Sequence, residues 1–150
     1  MRLFSILYRN GLKHANIKAI NANFEGEMKV EITVQVKNGV RCALVTGEEL
    51  LITDAQSALD LMMTVRYDTD SDRIALHKEA VADAFFVLSS KLAGDVLQKF
   101  INYHTKLAII GDYSGYTSKP LKDFIYESNR GHDIFFVTTE EEAIERLSRA

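Results

Sequence analysis

The chain has 150 residues, 47% hydrophobic and 26% charged, with 8 Gly and 1 Pro; this suits one globular domain and excludes a low-complexity or disordered chain. At this length folding hides roughly 68–70% of the unfolded surface, enough for an apolar core without metal or disulfide staples. A formal charge of -3 gives no electrostatic case for nucleic acid, and no apolar run approaches the roughly 20 residues of a membrane span. The single Cys42 cannot pair internally, which points to a reduced, cytoplasmic setting.

The first 27 residues differ from the rest. Arg2, Arg9, Lys13 and Lys18 precede the first acid, Glu25, while the other 14 of the 18 basic residues and 19 of the 21 acidic ones lie from Met28 onward. Three readings of residues 1–27 stand side by side. The first is an extension upstream of the natural start, because the purine-rich codons of Glu25-Gly26-Glu27 would place a ribosome-binding site just before Met28. The second is an ordered extension, and the third an amphipathic targeting or interfacial segment. An α/β domain is expected over residues 28–150.

Val30, Ile32, Val34 and Val36 alternate with Glu31, Thr33 and Gln35, the period of a strand with one wet face. Lys37-Asn38-Gly39 turns the chain, so residues 40–45 should return as the second strand of a hairpin. Thr53 is expected to open the first helix, with Gln56 closing a capping box and Ala55, Ala58, Leu59, Met62 and Val65 facing inward as far as Tyr67. Residues 73–76 read as a third strand, parallel to the second across the helix. A Phe85-Phe86 segment follows, then Ser89-Ser90 as a cap for a helix with Leu92, Ala93, Val96, Leu97, Phe100 and Ile101 on one face. Residues 106–110 form an apolar run ending at Gly111, as in a strand buried on both sides. Thr117-Ser118-Lys119-Pro120 starts the next helix, with Leu121, Phe124 and Ile125 inward and Gly131 at its end. Residues 134–137 are the last strand, and Thr139 with Glu142 makes a capping box for a helix carrying Ala143, Ile144 and Leu147. The expected order is ββαβαβαβα: a single α/β domain, an N-terminal hairpin followed by βαβαβα units, with a mainly parallel sheet and packed helices.

The stretches Ala58-Leu59-Asp60-Leu61-Met62, Leu92-Ala93-Gly94 with Leu97-Gln98-Lys99-Phe100-Ile101-Asn102-Tyr103, residues 106–114, Ser118 and residues 121–129 resemble the bacterial domain of unknown function 4180. The likeness runs from about Met28 to the C-terminus and leaves residues 1–27 outside. It implies no activity, since that family has none assigned. More distantly, the element order and the strand end Ala108-Ile109-Ile110-Gly111-Asp112 are similar to STAS-like domains, the anti-sigma-factor-antagonist fold, which implies a non-enzymatic binding or regulatory module. The phosphorylatable motif of those domains has no counterpart between Lys78 and Ser90; Ser89-Ser90 echoes it only loosely, so no phosphorylation switch is carried over.

The leading candidate site is the loop with Asp112, Tyr113, Ser114, Tyr116, Ser118 and Lys119. It leaves the carboxyl end of a buried strand and enters a helix start, where open α/β sheets bind ligands and backbone N–H groups favour anions. Gly111 and Gly115 are four apart with no Gly-Lys-Ser/Thr, so it is not a Walker loop. The plain alternative is an ordinary βα loop with a Ser118 cap. Asp68, Asp70, Asp72 and Glu79 fit a calcium-loop template, but Arg73 stands where the template needs Gly, so a solvated acidic turn is expected. Asp54, Asp112 and Lys78 could converge at one sheet edge for acid–base or magnesium chemistry; the plain alternative is Asp54 as first-turn dipole compensation at its helix and Lys78 as an exposed side chain. His77, His104 and His132 are isolated, and His104 suits a contact with a helix C-terminus. Cys42 reads as a small buried hydrophobe. Phe85 and Phe86 are either a homodimer or pocket surface or plain core. No catalytic set, metal site or cofactor is expected. A protein partner or small anionic ligand at the loop is the leading reading, and a small hydrolase or transferase acting on an anionic substrate there is the alternative.

Overall fold

Asn38 and Gly39 sit at φ 53° and 75°, the left-handed backbone that a two-residue hairpin turn demands and that this residue pair tolerates best. That turn sets the register of the two strands it joins. The computed structural model describes residues 16–24 and 28–150. Their strands are β1 (Asn16–Phe24), β2 (Met28–Lys37), β3 (Val40–Gly47), β4 (Arg73–His77), β5 (Lys106–Ile110) and β6 (Ile134–Val137), and their α-helices are α1 (Ala55–Thr69), α2 (Leu92–Asn102), α3 (Lys119–Arg130) and α4 (Glu140–Arg149). Among the described residues the strands form one six-stranded sheet in sequence order. β1, β2 and β3 are antiparallel neighbours, and β3, β4, β5 and β6 run parallel. The α/β architecture expected from the sequence is the one observed, with β1 added at its edge.

Two apolar layers flank the sheet. On one face Ile32, Val34, Val45, Ile74, Leu76, Leu107, Ile109 and Phe136 pack under α1, α2 and α3. On the other, Cys42, Ala75, Ala108, Ile110, Phe135 and Val137 pack under α4 through Ala143, Ile144 and Leu147. The alternation of strand side chains places each set, since successive residues point to opposite faces.

Each helix ends against an arginine from another element. Arg41 donates to Thr69 O at the end of α1, and Arg66 to Tyr103 O just past α2. Arg146 donates to Asn129 O near the end of α3, and Arg73 to Leu147 O and Ala150 O at the end of α4. A helix C-terminus leaves carbonyls without intrahelical donors and carries partial negative charge, so a guanidinium satisfies both demands. The helix ends therefore gather the tertiary capping at the amino edge of the parallel strands. The carboxyl edge, where the helices start, is capped by local side chains.

Those local caps differ in detail from the sequence reading. Asp54, not Thr53, caps α1: Ser57 N donates to Asp54 Oδ1 at 2.7 Å and Ser57 Oγ accepts from Asp54 N at 3.1 Å. The shorter serine closes the box, and Gln56 instead donates to Asp60. Before α2 the chain makes short 3-10 turns over Lys78–Ala80, Asp83–Phe86 and Leu88–Ser90. The residue before α2 is Lys91 in left-handed backbone without a side-chain cap, and Ser90 Oγ accepts from Leu92 N from one position further back. Thr139 caps α4 as expected, but Glu142 Oε1 accepts from Thr138 N rather than from Thr139. The acidic turn is not a calcium loop. Asp70 ends α1 in left-handed backbone, Asp72 pairs with Arg73, and residues 73–77 continue as β4.

Candidate functional site

Three crossover helices lie on one face of the sheet and α4 on the other, so the chain leaving β5 bends one way and the chain leaving β6 bends the opposite way. Adjacent strands whose outgoing loops diverge open a crevice at their carboxyl ends, the usual ligand position in open α/β sheets. Here that place is bounded by the loop from Gly111 to Ser118 and by Thr138-Thr139.

The loop rests on an aromatic platform. Tyr113 donates its hydroxyl to Ile109 O at 2.6 Å, which turns the ring back over the strand it has just left. Its ring meets Phe136 edge-on with centroids 5.5 Å apart, and Tyr116 stacks on Phe86 at 5.4 Å. Phe136 also meets Phe85, Phe86 and Phe124. Such offset and edge-to-face pairs add to the stabilisation from area burial. Burial pushes the Tyr113 phenol well above its usual range, so this hydroxyl stays protonated and is used as a donor.

Lys78 straps the loop from the β4 side. A Cβ added at Gly111 would lie 2.7 Å from Lys78 Cβ, so the lysine stem crosses where only glycine leaves room. Its ammonium then donates to Tyr116 Oη at 3.0 Å and stands 4.9 Å from the Tyr116 ring centroid, a cation–π distance. The Tyr116 hydrogen bond raises the lysine's pKa, with Glu79 and Asp83 assisting. The residues 78–82 that carry it are tied to the chain after β3, where Leu51 N and Ile52 N donate to Ala80 O and Ala82 N donates to Ile52 O.

The rim of the loop is polar and exposed. Ser114 N donates to Asp112 Oδ1 at 2.9 Å, and the hydrogen bonds from Ser114 hold the Asp112 carboxyl below its usual range. The sign follows: this turn is fully stabilised above the ordinary carboxylate range and loosens as pH falls through the lowered value. Ser118 caps α3 by accepting from Leu121 N, and Lys119 pairs with Asp123 at 2.8 Å on the same helix.

Of the residues singled out by sequence, Asp112, Tyr113, Ser114, Tyr116, Ser118 and Lys119 are in one loop and helix start, with Tyr113 and Tyr116 serving as its base. Lys78 joins them, and it also acts on Asp112 electrostatically. Asp54 is engaged at its own helix. The surface reading of Phe85 and Phe86 is corrected: they are 0% and 5% exposed and belong to the core under α2 and α3, because their 3-10 turn directs both rings beneath the helices. The sequence reading placed Phe124 on the inward face of its helix and residues 134–137 in the last strand, but did not join Phe136 and Phe124 to the floor of the loop, because no local spacing brings them to Tyr113. His77 Nε2 is 2.9 Å from Glu140 Oε2, and His104 has left-handed backbone just past α2. Cys42 is fully buried and its thiol is pushed up to about 12 by burial, as suits a small hydrophobe. Among the described residues no group of three or more His, Cys, Asp or Glu is placed to hold a metal ion, and no helix is long and apolar enough to cross a membrane.

Residues 37–147 match the family model described as Domain of unknown function (DUF4180). The matched region starts at the hairpin turn, so β1 and nearly all of β2 precede it. No curated protein and no solved structure matches the chain.

Proposed function

Since the chain belongs to the DUF4180 family, whose description names no activity, we propose from its own geometry that it is a non-enzymatic binding module whose contact is the Asp112–Lys119 loop. One observation carries this reading: the reactive groups of the loop are already engaged in holding its shape. Tyr113 donates to Ile109, Tyr116 accepts from Lys78, Asp112 accepts from Ser114, Ser118 caps α3 and Lys119 pairs with Asp123. What faces solvent is a polar rim on an aromatic base, a shape fixed before any partner arrives.

The partner class follows from charge. Lys78 has Asp112, Glu79 and Asp83 as electrostatic neighbours, and Lys119 has Asp123. The loop therefore offers no uncompensated cation for a small anion, and a protein surface of mixed polarity suits it better. The hydrolase or transferase alternative has less support. A general acid or base is tuned by burial toward the working pH, whereas Asp112 is exposed and held low. A reduced, cytoplasmic setting and a STAS-like regulatory role belong to this proposal; the lone Cys42 supports the first, and the alternation of strands and helices after the hairpin supports the second.

Asp112→Lys combined with Lys119→Glu reverses the rim charges without touching the platform. Native mass spectrometry of the chain isolated from its own cells should show a bound protein with the unchanged sequence and lose it with the double variant. An identical set of bound masses for both chains, with both folded, would contradict the proposal.

A further inference from the structure

β6 forms one side of the sheet, with β5 beside it and no strand beyond it among the described residues. Asp133 O accepts from Leu107 N and Val137 O from Gly111 N, so these residues turn their peptide groups to β5, and the alternation along a strand turns those of Phe136 and Thr138 outward. An outward row of this kind is a template for a further strand. The strand is suited to one, since Ile134-Phe135-Phe136-Val137 is apolar throughout, with no charge and no Pro.

That row is occupied from within the chain. Phe136 N donates to Asn129 Oδ1 at 2.7 Å, and Asn129 Nδ2 donates to Phe136 O at 3.1 Å. Two bonds between one carboxamide and both backbone groups of one residue reproduce what the residue opposite supplies in an antiparallel pair. Thr138 N donates to Glu142 Oε1 at 3.0 Å, so the next outward amide is taken as well. Asn129 is held in place through its backbone, because Arg146 of α4 donates to Asn129 O and lies over the Phe135 ring, 4.4 Å from its centroid. The helix itself does not call for this residue: asparagine is a poor helix former, and here it stands inside α3, one residue before the last.

We propose that the Asn129 carboxamide is a self-blocking contact, a stand-in for a neighbouring strand that keeps the β6 edge from pairing with the β6 edge of a second copy of this chain. The occupant it excludes follows from the geometry. A twofold axis beside Phe136 would set the two Phe136 residues opposite each other, each donating to and accepting from the other. Those are the two groups that the carboxamide covers. Left bare on a strand of apolar residues, they would lack both partners, and a like edge supplies both at once. The contact is made to backbone on the side of β6 away from β5, so the proposal stands independently of the loop reading.

The test follows amide exchange and sedimentation of the full 15N-labelled chain, dilute and concentrated, for the unchanged sequence, Asn129→Ala and Asn129→Lys. Both substitutions remove the carboxamide and favour the helix, and only lysine adds an edge charge that opposes strand pairing. In the unchanged chain the Phe136 amide should exchange slowly, at a rate that does not depend on concentration. In both variants it should exchange on the order of tenfold faster in dilute solution. On concentration Asn129→Ala should form dimers in which the Phe136 amide is protected again, and Asn129→Lys should not. Asn129→Ser, neutral and too short to cover both groups, takes the place of Asn129→Ala if that variant does not fold. Phe136 exchange that is fast in the unchanged chain or slows there with concentration, a folded neutral variant that forms no dimer, or equal dimerisation of Asn129→Lys would each overturn the proposal.

Discussion

Phe136→Ala should lower the stability of the domain by about 3–5 kcal/mol, the cost of emptying a buried aromatic site, with a fall in Tm on the order of 10 °C. Phe136 is 5% exposed and its ring meets Phe85, Phe86, Tyr113 and Phe124. Its loss removes the floor under the Gly111–Ser118 loop as well as core volume. The informative comparison is Phe135→Ala. Phe135 is equally buried but faces α4, with the Arg146 guanidinium 4.4 Å from its ring centroid. Both variants should lose stability in denaturant unfolding, and only Phe136→Ala should speed amide exchange across residues 112–117. A loss under about 1 kcal/mol for Phe136→Ala, or equal exchange in the two variants, would contradict the role given to the platform.

The second large effect is expected at Arg73. Its guanidinium donates to Leu147 O at 3.1 Å and to Ala150 O at 3.0 Å and pairs with Asp72 at 2.8 Å, while its side chain is only 16% exposed. Arg73→Met keeps the apolar stem and removes the donors. The two carbonyls then lose a charged partner at a half-buried helix end, which costs roughly 2 kcal/mol. The loss should be local in kind, with amide exchange at residues 145–149 rising more than in α1 or α2. Lys37 to Glu145 at 2.6 Å and Asn38 to Ser148 still tie the hairpin to α4, so α4 should fray rather than detach. Unchanged unfolding midpoints for Arg73→Met would remove this capping from the account.

Strand and helix positions were legible in the sequence wherever one periodicity dominated. The alternation from Val30 to Val36, the run 106–110 and the stripe of α1 gave their elements within a residue or two. β1 was not legible, and its pairing shows why. In residues 16–24 the apolar positions Ile17 and Ala19 are followed by Ile20, Ala22 and Phe24, so the period-2 pattern changes parity in mid-strand. The pairing with β2 has its irregularity at that place, between Ala19 and Ala22, where β1 carries one residue more than β2. Caps were legible to within one residue because Thr, Asp and Ser compete for the same backbone donors, and only the local backbone decides which wins.

The candidate loop was legible as a place and not as a mechanism. Position after a buried strand and before a helix marked Gly111–Lys119, but the engagement of its hydroxyls depends on partners distant in sequence. Lys78 reaches Tyr116 across 38 positions, and Phe136 reaches Tyr113 from the last strand. The four arginine caps are of the same kind: Arg41, Arg66, Arg73 and Arg146 look like ordinary surface charges until the topology sets each beside a helix end.

Site-specific photocrosslinking from the loop tests the central claim most directly. A benzophenone side chain at Thr117, on the exposed rim, is compared in the native cells with one at Gln98 on α2. The account predicts a discrete crosslinked protein from position 117, absent from position 98 and lost when Asp112→Lys is added. A folded chain whose position 117 gives no product beyond that of position 98 would contradict the assignment of the loop as the contact.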